Sequence, residues 1–329
     1  MAFIRRFLAL ATASALCAAI APATAQTAKA WPEKPVTFVT PYPPGGSADI
    51  ITRFIADRVS KQVGKPIIVE NRAGAAATLG TDYAARAAPD GYTFLVTPMA
   101  TVTIAPWLRK LNYSVDSFIP VAKLASSYGL ITTSKEAPFS NYKEFVASAK
   151  ANPGKYSFAT NGVGSIVHLT AVLLHKQSGI DVLHVPYKGA AESMTDLIGG
   201  RVTLMYDPAT APRVKDGTLK GLATTANIRN PELPNISTLE EQGFKLPFSG
   251  SWFGIFAPKG TSEAIVSKMA GYVKQALEMP GVREQLQLSA LYPDFEDSAS
   301  FSTRTVQWLV YALFRCIEGV LWLLPLIVV

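Results

Sequence analysis

The chain has 329 residues, 49% of them hydrophobic, with 31 Lys and Arg against 24 Asp and Glu, three His and two Cys. That length suits two domains with separate cores. The formal charge of +7 is spread along the chain with no run of Lys or Arg, which argues against nucleic-acid binding and leaves a mild attraction for anions.

Residues 1–25 read as a secretory signal peptide: Arg5 and Arg6, an apolar stretch over 7–20, and Ala23-Thr24-Ala25 before Gln26. They predict export, and removing them lowers the charge from +7 to +5. Cys17 lies inside this segment, but Ser14-Ala15-Leu16 does not make a lipoprotein signal. Cys316 then stands alone, so no intramolecular disulfide can form and stability must come from the cores.

A stiff leader, Trp31-Pro32-Glu33-Lys34-Pro35, precedes a strand at 36–40 that runs into Pro41-Tyr42-Pro43-Pro44-Gly45-Gly46-Ser47. A helix is predicted over 47–63, capped by Ser47, with Ile51, Phe54, Ile55, Val59 and Val63 at helical spacing. A second strand covers 67–70. Asn71-Arg72-Ala73-Gly74 then turns into an alanine-rich helix that stops near Pro89-Asp90-Gly91. A third strand, 93–97, feeds Pro98-Met99-Ala100-Thr101. This βαβαβ order implies a parallel sheet with right-handed crossovers.

A strand pair at 121–124 and 130–133 opens a second series. Helices near 140–151, 165–177, 190–198 and 209–216 alternate with strands at 156–160, 183–186, 203–206 and 219–224. A polar connection at 227–235 leads to a strand at 251–257 and an amphipathic helix at 262–277, and no internal repeat is evident. The expected class is α/β with two lobes, lobe 1 from 26–124 and 240–305 and lobe 2 from 125–239.

Five of these strands end in loops of small, polar or glycine residues that enter a helix. In open α/β sheets ligands bind beyond the strands' carboxyl ends, and helix N-termini there suit a carboxylate or phosphate. No nucleophile paired with a base, Walker loop, dinucleotide fingerprint or metal-ligand spacing is present. A hydrolase built on Ser165 and His168 would need an orienting group and an oxyanion hole, and neither is legible. The pattern is that of an anion receptor without cofactor or metal, not an enzyme.

Eight motifs in register carry a more specific resemblance. They are Trp31-Pro-x-Lys-Pro35, Pro41-x-Pro-Pro-Gly-Gly-Ser-x-Asp49, Val69-Glu-Asn-Arg-x-Gly74, Ala88-Pro-Asp-Gly-Tyr-Thr93, Ala151-Asn-Pro-Gly-Lys155, Asn161-Gly-x-Gly-Ser-x-x-His168, His184-Val-Pro-Tyr-Lys-Gly189 and Leu197-Ile-Gly-Gly-x-Val202. Over roughly residues 31–295 the chain resembles the Bug (TctC-like) periplasmic solute-binding proteins of tripartite tricarboxylate transporters. The resemblance implies a type II periplasmic-binding-protein fold whose lobes close on a small carboxylate. It also implies a receptor, here expected as a monomer, that docks on a permease with a large and a small membrane subunit. The rival reading is a sensory receptor that presents the bound carboxylate to a membrane kinase.

Gly45, Gly46 and Ser47 bring main-chain amides and a hydroxyl to a ligand, with Tyr42 as a pocket wall and Asp49 as an anchor for loop amides. Asn161, Gly164 and Ser165 repeat that arrangement in the other lobe, and His168, one turn below Ser165, reads as hydrogen-bonding support. The Tyr187 hydroxyl suits a carboxylate, whereas Lys188 reads equally as added charge or as a solvated loop lysine. Asp207 matches an acidic position of the family and could accept from a ligand amine or hydroxyl, or hold bridging waters. Thr97, Met99, Thr101 and Trp252 are weaker candidates for the pocket, and Trp252 reads equally as core.

Residues 306–329 depart from the family with an atypical hydrophobic segment of about membrane-spanning length. Arg315 and Glu318 near its middle would each cost roughly 2.5–3.5 kcal/mol at the bilayer centre, less if they pair. A replaced or frame-shifted terminus is the favoured reading, since the resemblance fades near Pro293. An inner-membrane anchor and a buried core helix are the alternatives.

Overall fold

A computed structural model describes residues 31–246 and 250–315, and in it eleven strands form two sheets. The signal-peptide assignment lies outside the described residues, as does the hydrophobic segment beyond Arg315. Chain contacts divide the protein after Glu33, and both sheets belong to the unit that starts at Lys34.

The first sheet has the order β11-β4-β10-β3-β1-β2. It starts with β1 (Val36–Thr40), α1 (Ser47–Val63), β2 (Ile67–Asn71), α2 (Thr78–Ala85) and β3 (Thr93–Pro98). β2 and β3 run parallel to β1 on either side, Val36 opposite Ile67 and Thr37 opposite Thr93. Two short helices, α3 (Met99–Thr103) and α4 (Ala105–Leu108), then lead to β4 (Phe118–Ser127).

The second sheet takes β5 (Leu130–Ser134) and β6 (Ser157–Thr160), with α5 (Tyr142–Ala151) between them. It continues through α6 (Ile166–Ser178), β7 (Leu183–Pro186), α7 (Ala190–Ile198) and β8 (Leu204–Met205). After a 3₁₀ turn (Pro208–Thr210), α8 (Ala211–Lys215) and β9 (Leu219–Thr224) complete the order β7-β6-β8-β5-β9. β10 (Ser251–Pro258) returns to the first sheet antiparallel to both β3 and β4. α9 (Glu263–Glu278), α10 (Val282–Gln287), β11 (Leu291–Glu296) and α11 (Ser298–Arg315) follow.

The parallel sheet expected of the first series is therefore mixed, because the returning strand enters it from the opposite direction. The strands read as a pair at 121–124 and 130–133 do not pair: β4 and β5 belong to different sheets. The chain changes sheets at Tyr128 and Gly129, where the Gly129 N–H donates to Thr225 Oγ1 at 2.7 Å. It returns at Gly250, whose φ of +72° and 2.5 Å clearance from a Cβ position to the Ser127 carbonyl admit only glycine without strain. Ser251 pairs with Ser127, so the two crossings lie side by side.

Each sheet has its own core. Phe139, Tyr142, Phe145 and Phe158 fill one behind β5 and β6, and Leu95, Met99, Trp252, Phe256 and Phe301 fill the other. Phe301 is fully buried and Thr305 nearly so. The chain is thus packed past Pro293 as far as Thr305, while most of 306–329 lies outside the described residues. No helix among the described residues is long and apolar enough to cross a membrane.

Candidate functional site

Where β1 ends, Gly45 takes a φ of +88° and the chain enters α1 with Gly46 as N-cap. Ser47 is the first helical residue rather than the cap expected from the sequence, so its hydroxyl is not spent on the helix's own amides. It donates instead to Asp207 Oδ1 at 3.4 Å. Asp49 anchors the corner: its carboxylate accepts from the Gly45 N–H at 3.0 Å, from Asn71 at 2.8 Å and from Arg53 at 3.0 Å. Burial raises the Asp49 pKa, but the Arg53, Asn71 and Gly45 donors outweigh it and hold the group below its ordinary value.

The second corner follows β6. Gly162 and Gly164 take φ of +105° and +83°, and Ser165 caps α6 by accepting from the His168 N–H at 3.3 Å. His168 Nδ1 accepts from the Gly164 N–H at 3.2 Å, so the imidazole braces this corner as Asp49 braces the first. Burial, with the neighbouring His184 and Arg109, lowers His168 to about 4 and leaves it neutral at pH 7. Among the described residues no group of His, Cys, Asp or Glu could hold a metal.

Both corners open on one cleft with a cavity volume of about 50 Å³. Tyr42, Gly46 and Ser47 line it from the first, Asn161 and Ser165 from the second, and Asp207 closes the floor. Asp207 Oδ2 accepts from Asn161 Nδ2 at 2.7 Å and Oδ1 from the Ala209 N–H at 2.9 Å. Burial raises the Asp207 pKa; the Asn161, Ala209 and Ser47 donors only partly offset it. Asp207 is the one charged side chain of the lining. A negative ligand would therefore meet amides and hydroxyls, not a cationic side chain. Asn161 Oδ1 and Ser251 Oγ, both buried, have no protein partner.

Other sequence candidates sit elsewhere. The Gly45 and Gly164 amides are committed to Asp49 and His168 and do not face the cleft. Thr101 lines a side chamber and contacts the Tyr42 hydroxyl at 3.5 Å. Thr97 is fully buried on β3, its Oγ1 without a partner. The Tyr187 hydroxyl donates to Asp196 at 2.7 Å, outside the cleft lining, and Lys188 is an exposed loop lysine. Met99 and Trp252 are core residues.

Three contributors went unassigned at the sequence level. Gly189 and Ala190 bring the start of α7 to the cleft, a third helix N-terminus, signalled by its strand–loop–helix junction. Ser127 and Ser251 line it from the paired crossings between the sheets, where only strand register brings them together. Arg109 reaches across to Val163, and nothing in its sequence context marks it.

The chain matches the tripartite tricarboxylate transporter family receptor (TctC) over residues 51–308, so family similarity extends past the 295 read from the motifs. It is 38% identical over 311 residues to the UPF0065 protein in the gbd 5′ region of Cupriavidus necator, covering 93% of this chain and 94% of that one. Among solved structures, the periplasmic binding protein BugD superposes with a TM-score of 0.83 at 31% identity, covering 88% of this chain and 98% of BugD. MatC from Rhodopseudomonas palustris with bound malate gives 0.79 at 30%, covering 86% and 98%. R. palustris Rpa4515 with adipate gives 0.81 at 28%, covering 87% and 97%.

Proposed function

The chain belongs to the tripartite tricarboxylate transporter receptor family, and from that premise we propose that it captures a small organic carboxylate between its lobes and delivers it to a two-subunit membrane permease. One observation carries the ligand class: Gly46–Ser47 and Asn161–Ser165, from different sheets, face a single cleft into which three helix N-termini open. The first amides of a helix lack intrahelical acceptors and sit at the positive end of its dipole, so together they can hold a carboxylate without Lys or Arg. The malate and adipate bound by the two R. palustris proteins support that class.

In this reading Tyr42, Gly46, Ser47, Asn161, Ser165 and Asp207 touch the ligand, and Asp49 and His168 hold the corners that present it. Residues 1–25 direct export, the receptor acts as a periplasmic monomer, and the lobes divide where the chain changes sheets, at Tyr128–Gly129 and Gly250, because β4 stays in the first sheet to Ser127 and a division at 124/125 would cut it.

Mass spectrometry of what co-purifies, followed by calorimetry with the identified acid, tests the proposal. Ser47→Ala and Ser165→Ala should each weaken binding by about 1 kcal/mol, more where the lost hydrogen bond is to an ionised group. Unchanged affinity in both variants would exclude this cleft.

A further inference from the structure

Both glycine amides of the second corner end on a histidine. Gly164 donates directly to His168 Nδ1 at 3.2 Å. Gly162 reaches His184 in two steps: its N–H donates to Thr160 Oγ1 at 3.3 Å, and that hydroxyl lies 2.7 Å from His184 Nε2. The Gly162 carbonyl in turn accepts from the Ser165 N–H at 3.2 Å, so this chain of bonds ends on a residue that lines the cleft.

Donor and acceptor roles follow along the chain. An amide N–H can only donate, so Thr160 Oγ1 accepts from Gly162 and its own proton needs an acceptor. Thr160 is 1% exposed, and its hydroxyl has no further partner among the described residues. The network therefore assigns His184 Nε2 as the acceptor, on a neutral imidazole with its proton on Nδ1. A protonated ring would turn an N–H towards the hydroxyl and leave a buried donor unpaired.

The groups packed around His184 oppose its protonation. From α6, the His168 ring lies 4.4 Å away between centroids, and His175 and His184 both pack on Phe158, at 4.8 and 4.9 Å. Arg109 acts on the same cluster through His168. β6 adds Thr160 and Phe158, and β7 itself brings Leu183 and Val185, none of them charged. Burial lowers the pKa of all three histidines, and no carboxylate contributes to any of the shifts. His168 and His175 are buried, whereas His184 is half-buried on the edge strand β7, where solvent protons reach it first.

We propose that His184 is a positioning residue for the ligand site: through Thr160 it holds the Gly162 turn that presents Asn161 and Ser165, and the corner loosens its grip when this imidazole takes up a proton. Carboxylate affinity then falls in mildly acidic medium. This rests on the carboxylate reading above and adds a pH dependence to it.

Calorimetry on the full chain with malate at pH 7.5 and pH 5.5 tests it, read as a difference between variants so that titration of malate itself cancels. On acidification the wild type should lose at least about fivefold more affinity than His184→Gln, whose amide oxygen still accepts from Thr160 but takes up no proton. At pH 7.5 His184→Ala should bind about fivefold less tightly, and His184→Gln should recover most of that loss. Thr160→Val should bind less tightly and lose the extra acid sensitivity, although its His184 still titrates. An acid loss shared equally by all these proteins would overturn the proposal. So would tighter wild-type binding at pH 5.5 than His184→Gln shows, the mark of a counter-charge. A ligand-free measurement separates this proposal from the one it rests on. In amide NMR spectra the Gly162 signal should shift with the His184 ring as pH falls, and should stop doing so in Thr160→Val. Absence of that coupling sinks the positioning role, whereas malate binding to none of the proteins tells against the carboxylate reading alone.

Discussion

Ser47 and Asp207, 160 positions apart, meet across the cleft through a hydrogen bond from the serine hydroxyl to Oδ1 at 3.4 Å. Ser47 opens α1 after β1 and Asp207 caps the 3₁₀ turn after β8, so the bond joins the elements of the two sheets. Asp207 is 2% exposed and burial raises its pKa, so this floor costs least when it carries a proton.

That fixes the sign of a pH effect. With its folded-state pKa raised, Asp207 contributes stability fully below the ordinary aspartate pKa, and that contribution is lost as pH rises through the raised value. Asp207→Asn removes this dependence. The variant's Tm minus the wild-type Tm should climb as pH increases from the ordinary aspartate range towards neutrality, measured by differential scanning calorimetry. Parallel Tm curves would contradict it.

The corners were legible because their chemistry is local: Gly45, Gly162 and Gly164 adopt positive φ that other residues avoid, and Ser165 caps the helix it precedes. The central strands of both sheets show as β-branched and apolar runs. β11 was missed because Leu291–Glu296 contains Pro293, Asp294 and Glu296, which suit only an edge strand, and β11 lies at the edge beside β4. There Asp294 and Glu296 neutralise Lys123, which interrupts the apolar pattern of β4. The bond from the Tyr187 hydroxyl to Asp196 was not legible, because no sequence rule places Asp196 there. Arg109 depends on the approach of the two lobes, which local patterns do not encode.

The histidines behind the second corner give the opposite pH slope. Burial lowers His168 to about 4 and His175 to about 3, so each contributes stability above the ordinary histidine pKa that is lost as pH falls towards those values. At pH 5 each such site costs about 2 kcal/mol relative to neutral pH. His175→Phe should flatten this limb in urea unfolding measured at pH 7 and pH 5. It would also lower stability at pH 7, because the Tyr206 hydroxyl loses its 2.8 Å partner. A variant as acid-sensitive as the wild type would refute the assignment.

Phe301 ties the start of α11 to the first sheet. Its ring packs against Trp252 and Phe256 at 4.8 and 5.2 Å between centroids, over the space that Gly254 leaves free. A Cβ at Gly254 would come within 2.2 Å of the Phe301 ring. Phe301→Ala should therefore cost about 3–5 kcal/mol of unfolding free energy, read by guanidinium denaturation. A loss below about 1 kcal/mol would mean that α11 does not belong to this core.

Gly162 separates the cost of a strained loop from the cost of blocked closure. Its φ of +105° is unfavourable for alanine in any state of the protein, a cost of about 1–3 kcal/mol. A Cβ there would also lie 2.9 Å from the Ala76 side chain, which belongs to the loop before α2 on the other sheet. That second contact is between loops of the two sheets, so under the proposed closure on a ligand Gly162→Ala should penalise the closed form beyond its effect on folding. The expected result is a carboxylate affinity reduced at least about tenfold, chiefly through faster release, while thermal stability without ligand falls only as far as the backbone strain requires. Stopped-flow release rates and ligand-free melting of the same preparation distinguish the two costs. An unchanged release rate would show that the second glycine corner closes without needing the space that Gly162 provides.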